Sequence, residues 1–189
     1  MGKAKTTLEQ DGQDGQDGKD GQDRPGGPAS LVADYAPGSD RPLGGYAALM
    51  GLYGGAVAAG ALALRRRKQP LPDVRPVDIV LVGVATHKLA RRMSKDSVTS
   101  PLRAPFTRYE GVAGPAELQE GVRGSGIRKA IGELITCPFC LSQWVSTGFV
   151  FGLLVAPRAT RWAASVFASL ALADFLQFAY AWAEQQAEG

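Results

Sequence analysis

One histidine and two cysteines are all the imidazole and thiol groups that this 189-residue chain holds. Two cysteines spaced C-x-x-C close only a local ring, which excludes a disulfide-stapled scaffold. A zinc site needs four ligands, and no second cysteine pair exists to complete one within the chain. With His87 as the only imidazole, no serine has its own His/Asp pair, so a serine-nucleophile triad has no support. Basic residues interleaved with aromatics are missing, which leaves nucleic acid out of the expected partners. The segment Gly121-Val122-Arg123-Gly124-Ser125-Gly126 lacks the Lys-Ser/Thr of a phosphate loop and is expected to follow no strand. Met1 to Pro42 has no apolar core, so no removed secretory leader is expected there.

What is present is split along the chain, and the net charge of +3 averages over two unlike parts. Residues 1–42 are rich in Gly, Asp, Gln, Pro and Lys. Gly12, Gly15, Gly18 and Gly21 recur at every third position, but four triplets without proline fall far short of a triple helix. A flexible, solvated, disordered tail is expected.

Three long apolar stretches follow. Leu43–Leu64 has no charge in 22 residues, and at about 1.5 Å per residue it crosses a hydrocarbon core about 30 Å thick. Arg65, Arg66, Arg67 and Lys68 mark its cytoplasmic end. Gly51-x-x-x-Gly55 within it offers close approach to a second copy, a possible homo-oligomer contact. Pro70, Pro72 and Pro76 then break the chain before Val77–Ala90. That stretch is short for a crossing and carries Asp78, His87 and Lys88, so a tilted or half-inserted helix is expected. Residues 91–126 form a polar loop. An amphipathic helix bearing Ile127, Ile131, Leu134 and Ile135 on one face precedes the second crossing, Leu141–Ala156. Pro157, Arg158 and Arg161 mark a turn into Trp162–Trp182, anchored at the interfaces by Trp162, Tyr180 and Trp182.

These stretches predict an all-α, helical integral membrane protein of three to four membrane helices, with the lipid bilayer as its first partner. Its parts are the tail 1–42, the first transmembrane helix 43–64 and a membrane domain 77–182. Charge favours three crossings plus a partly inserted helix. That arrangement puts Arg65–Lys68 and the eight basic residues between Arg91 and Lys129 on the same cytoplasmic face.

Cys137 and Cys140 are the sharpest chemical feature. Pro138 suits the first helical turn, which places Cys137 at the N-cap and Cys140 one turn on. Unpaired N–H groups there favour a thiolate. Three readings stand: small residues packing a helix start, a thiol–disulfide pair, or two ligands of a metal ion. For the metal, His87 or a symmetric second copy would have to add the rest. Asp174 lies inside the last apolar stretch with Gln177 one turn further, and a carboxylate at that depth needs a partner. His87, Lys88 and Arg91 are the candidates. In Lys95-Asp96-Ser97-Val98-Thr99-Ser100-Pro101-Leu102-Arg103, Asp96 or Ser97 is expected to cap a short helix, and Ser100 to be held extended by Pro101. Arg103 and Arg108 could touch lipid phosphates, but a solvated surface turn is the favoured reading of this segment.

The runs His87-Lys88-Leu89-Ala90-Arg91, Lys95 to Arg103, and Glu133-Leu134-Ile135-Thr136-Cys137-Pro138-Phe139-Cys140-Leu141-Ser142-Gln143-Trp144 resemble a bacterial family, domain of unknown function 1360. The resemblance covers about residues 77–182. It implies a small multi-pass protein of the bacterial cell membrane with no established activity. It draws interest to Asp96, Thr99, Pro101, Arg103, Cys137, Cys140 and Trp144. The expected role is a non-enzymatic envelope or scaffold component, without a cofactor unless the cysteines hold a metal ion. The rival is a membrane thiol–disulfide oxidoreductase in which Cys137 attacks and Cys140 resolves; such enzymes carry a second cysteine pair, which this chain does not have.

Overall fold

Hydrocarbon offers no hydrogen-bond partner to a peptide group, so a chain that crosses it must satisfy its backbone internally. The computed structural model describes Tyr35, residues 40–68 and residues 70–187, most of them helical. Contacts divide the chain into Met1–Gly38 and Ser39–Gly189, and the fold described is that of the second unit. The glycine triplets of the tail lie outside the described residues. The helices are α1 (Leu43–Arg65), α2 (Pro76–Lys95), α3 (Ser100–Arg103), α4 (Gly126–Thr136), α5 (Pro138–Val155) and α6 (Pro157–Ala187). Strands β1 (Thr107–Gly114) and β2 (Glu117–Val122) lie between α3 and α4. Among the described residues, α1, α5 and α6 are long and apolar enough to cross a membrane. Their large apolar side chains point outward, as at Met50, Leu62, Val155, Leu172, Phe175 and Leu176. That surface is suited to lipid.

Helix α2 begins one residue before Val77 and runs five residues beyond Ala90. Pro76 opens it where a missing N–H costs nothing, and the Asp78 carboxylate accepts from the backbone N–H of Arg75 at 3.0 Å. Arg92 and Lys95 in its last turn face the negative end of the helix dipole.

Side-chain contacts fix how the helices run. Tyr53 of α1 bonds Thr147 of α5 at 2.8 Å, and Arg67, just past α1, donates to the Leu154 carbonyl, so α1 and α5 are parallel. Asp78 of α2 meets Arg161 early in α6, and Lys88 meets Asp174 further along, so α2 and α6 are parallel. Helices α5 and α6 meet at Ala156 as a hairpin, which makes the two parallel pairs opposed. Val82, Ala85, Leu153 and Ala164 form the buried centre, with Leu81, Phe149 and Phe167 packed around it. Helix α2 is therefore packed along α5 and α6 rather than laid on one end. As a result, Arg65–Lys68 and the 91–126 segment sit at opposite ends of the bundle.

Two short contacts seat the surrounding pieces. A Cβ on Gly45 would stand 2.8 Å from the Ala130 Cβ, so only glycine lets α1 lie this close to α4. A Cβ on Gly132 would stand 2.5 Å from Val122 and 3.0 Å from the Phe106 carbonyl oxygen. Burial on α4 therefore centres on Ala130 and Gly132, while Ile127 of the apolar stripe remains exposed.

The all-α expectation needs correction. Residues 107–122 form an antiparallel hairpin, with Thr107 opposite Val122 and Val112 opposite Leu118. Its turn, Gly114-Pro115-Ala116-Glu117, holds Ala116 at φ +60° without the Asn-Gly or Asp-Gly that announces such turns. The glycine-rich segment 121–126 therefore does leave a strand and enter a helix. Its missing Lys-Ser/Thr alone rules out the phosphate loop.

Arg103 overturns two further expectations. Its side chain is 1% exposed and pairs with Glu120, while also donating to the Met93 and Asp96 carbonyls at 2.8 and 2.9 Å and to the Thr99 hydroxyl at 2.6 Å. It is a buried fastener whose donors are spent within the chain rather than an exposed arginine at the headgroup layer. Ser100 is helical, at φ −54° and ψ −33°, despite preceding Pro101. The Ala104 N–H bond to the Ser100 carbonyl, together with the Arg103 network, holds it there. Replacing Arg103 by Met should cost about 3–5 kcal/mol by leaving Glu120 buried and unpaired. Adding Glu120→Leu should recover part of that loss. Thermal unfolding of the purified full chain in detergent checks both, and an unchanged midpoint for Arg103→Met would contradict the account.

Candidate functional site

The chemistry-bearing side chains gather at one end of the bundle, in two places. The first is a cavity of about 660 Å³ between the C-terminal half of α2, the β1–β2 turn and α6. His87, Lys88, Arg91, Arg92 and Asp96 line it from the α2 side. Asp174, Phe175, Gln177 and Phe178 line it from α6, and Ala113 to Glu117 form the roof.

The charges in this crevice are matched one to one. Lys88 pairs with Asp174, Arg91 forks onto Glu117 with Nη2 to Oε2 at 2.9 Å, and Arg92 meets Asp96 at 3.0 Å. The need of Asp174 for a partner is thus answered by Lys88 rather than by His87 or Arg91. The Lys88 side chain is only 16% exposed, whereas that of Asp174 is 42% exposed. The carboxylate therefore keeps one side open to the cavity. His87 and Gln177 line the same space, and His87 is exposed with no hydrogen bond or ion pair among the described residues.

The motif residues upstream are fasteners of this end. Asp96 accepts from the Val98 N–H at 3.0 Å and caps the short 3-10 turn Ser97–Thr99. Thr99 donates to the Arg92 carbonyl at 2.7 Å, and Pro101 lies in the first turn of α3.

The second place is the start of α5. Cys137 is its N-cap, Pro138 its first residue, and the Cys140 N–H donates to the Cys137 sulfur at 3.2 Å. Both cysteines are free; Cys137 is half-buried and Cys140 exposed. Trp144, one turn on, packs edge-on against Tyr53 of α1, with ring centroids 5.1 Å apart. Among the described residues no three of His, Cys, Asp and Glu converge to hold a metal ion, and His87 is not brought to the cysteines. Gly51 and Gly55 have open space where a Cβ would stand, so that face of α1 is unused within the chain.

Two polar contacts escaped the sequence reading. Asp78, 1% exposed, is clasped by Arg161 through two bonds of 2.8 Å and by Arg75 at 3.3 Å. Tyr46 of α1 donates to Glu133 of α4. The rule that exposes Asp174, a carboxylate inside an apolar run, applies equally to Asp78 and was the available signal.

If Lys88–Asp174 clamps α2 to α6, Asp174→Asn should lower stability by about 0.5–2 kcal/mol, the scale of interhelical polar contacts in membranes. The double change Lys88→Met with Asp174→Leu should cost less than Lys88→Met alone. Melting curves in detergent decide it, and coincident curves for wild type and Asp174→Asn would remove the clamp.

The family described as Protein of unknown function (DUF1360) matches residues 81–180, from α2 through most of α6. The chain is also 29% identical over 107 residues to a "Sporulation protein YjcA" of Bacillus subtilis (strain 168). That match covers 55% of this chain and 91% of the relative. No solved structure matches the chain. With more than half of its length matched, and the matched part holding both the crevice and the cysteine pair, the chain belongs to the DUF1360 family of proteins of unknown function.

Proposed function

We propose that this protein is a non-enzymatic, multi-pass structural component of a bacterial cell membrane, crossing the bilayer four times. The supporting observation is that its ionisable groups are used to join elements of the chain to one another. Asp78 and Lys88 tie α2 to α6, Arg91 ties α2 to the hairpin, and Arg103 ties α3 to β2. Groups committed in this way are positioned to hold helices together rather than to meet a substrate. The likeness to a protein named for sporulation in Bacillus fits a bacterial membrane setting.

Four crossings follow from the placement of α2. It packs beside α5 and α6 with its ends at opposite ends of the bundle, so if those helices traverse lipid, it traverses the same depth. Its outward side chains Val77, Ile79, Val80 and Val84 suit that place. At 20 residues it spans about 30 Å. On this reading Asp40, Arg41 and Pro42, the hairpin and the end of α6 share one side, and Arg65–Lys68 lie on the other.

A second reading, thiol–disulfide exchange or metal binding at Cys137 and Cys140, draws support from the sulfur seated over the Cys140 N–H at an exposed helix start.

Reporter fusions test the crossings. Paired fusions to a periplasm-dependent phosphatase and to a cytoplasm-dependent fluorophore, made after Lys68 and after Gly124, should report opposite sides. The same side at both sites would reduce the count to three. Alkylation mass spectrometry and metal analysis of the purified chain test the role. Neither thiol is expected to react faster than an ordinary thiol, and no stoichiometric metal should copurify; a hyper-reactive Cys137 or a copurifying ion would favour the second reading instead.

A further inference from the structure

We propose that the crevice between α2, the β1–β2 turn and α6 holds the headgroup of a phospholipid carrying both a phosphate diester and a primary ammonium, the phosphatidylethanolamine class. The inference rests on the membrane reading of the fold and names a ligand for a site to which that reading gives none.

Depth comes first. On α6 the cavity runs from Ala171 to Ala181, one residue short of the interface anchor Trp182. At about 1.5 Å per residue, Asp174 lies about 12 Å below that tryptophan. The cavity therefore bridges the headgroup layer and the top of the acyl chains. Its volume of about 660 Å³ falls in the ordinary range for small-ligand sites.

Charge selects the class. Three cations, Lys88, Arg91 and Arg92, face three carboxylates, Asp174, Glu117 and Asp96, already joined pairwise. A purely anionic headgroup gains from the cations only what it loses to the carboxylates. A headgroup with separated plus and minus charges can add to both members of a pair at once. Its phosphate meets Lys88, whose ammonium has donors beyond the one spent on Asp174, and the free imidazole of His87. Its ammonium donates to the open side of Asp174. A quaternary ammonium has no N–H to give that carboxylate, which disfavours phosphatidylcholine.

The walls carry the rest. Phe175 and Phe178 line the cavity and are 64% and 65% exposed, so beside the crevice α6 presents apolar surface against which acyl chains can pack. Over the top sits Ala116 at φ +60°, a left-handed alanine of the kind that ligand-facing turns retain against their local preference.

The full chain is reconstituted in bilayer discs of equimolar phosphatidylethanolamine, phosphatidylglycerol and phosphatidylcholine, and the lipids retained on gentle stripping are counted by native mass spectrometry. Phosphatidylethanolamine should be held roughly tenfold over either competitor, and Asp174→Asn should bring the ratio near one. His87→Ala alters an exposed, unpaired side chain and leaves the fold intact, so its expected several-fold loss of retention is free of any unfolding. Water-soluble glycerophosphoethanolamine should not compete. Equal retention of the three lipids, a preference for phosphatidylglycerol, an unaffected His87→Ala, or displacement by the soluble headgroup would each overturn the assignment. Failure of the underlying reading has a different signature: release of the chain from membranes by alkaline carbonate without detergent.

Discussion

A charge that is buried must bring its partner or be supplied with one, and α2 is built around that requirement. It carries Asp78, His87 and Lys88 among apolar helices. Arg161 meets it near its start, and Asp174 ten residues further on. Between these clasps Val82 and Ala85 pack on Leu153 and Ala164. Two polar clasps separated by an apolar contact fix register as well as adhesion. A slip of one residue turns a helix by about 100° and breaks both pairs together, whereas apolar packing alone tolerates sliding between similar surfaces.

The hairpin end of the bundle follows from the same helix. Helix α2 stops at Lys95 because Asp96 turns extended and spends its carboxylate capping the next turn. Thr99 reaches back to the Arg92 carbonyl, and Arg103 gathers the Met93 and Asp96 carbonyls with the Glu120 carboxylate. The chain is thereby folded over the end of α2, and Glu117 at the base of the hairpin comes within reach of Arg91. The crevice exists because the hairpin is held above α2 while α6 continues past it for 31 residues in all. The buried Arg103, bonded to the carbonyl of the lining residue Asp96 seven residues back, thus helps hold this end of the cavity together.

The apolar helices α1, α5 and α6 were legible in the sequence because lipid-facing helices advertise themselves by composition alone. The N-cap at Cys137 and the isolation of Asp174 were legible for similarly local reasons. The length of α2 was not. Its outward and inward faces are both partly apolar, its charges sit at the two ends, and its stability comes from pairs with residues some 80 positions away. The hairpin was hidden by a turn whose left-handed residue is alanine and by strands carrying glycine at 111, 114 and 121. Arg103 looked like a surface residue because a surface arginine and a buried one read alike until the carbonyls they meet are known. The reading of Asp96 as a cap survived, since a cap depends on two neighbouring residues only.

The limits of the family match carry one more consequence. Residues 81–180 take in most of α2 and α6 and all of α5, but not α1, and the Bacillus relative is covered over 91% of its own length by a 107-residue stretch. The shared unit is therefore the charged helix with its two apolar companions and the hairpin end, three helices in alternating directions. On the four-crossing reading, such a unit by itself would enter on one side of a bilayer and leave on the other. Helix α1 lies against it through Gly45 on Ala130, Tyr46 on Glu133 and Tyr53 on Trp144, contacts with α4 and α5 rather than with the clasps of α2. On the four-crossing reading, adding α1 reverses the side from which the chain enters. It brings Asp40, Arg41 and Pro42, just ahead of α1, to the same side as the crevice and the cysteine pair. Lys129, which bonds Asp40 just ahead of α1, is the first contact of that arrangement, at the point where the unmatched part of the chain meets the family's fold.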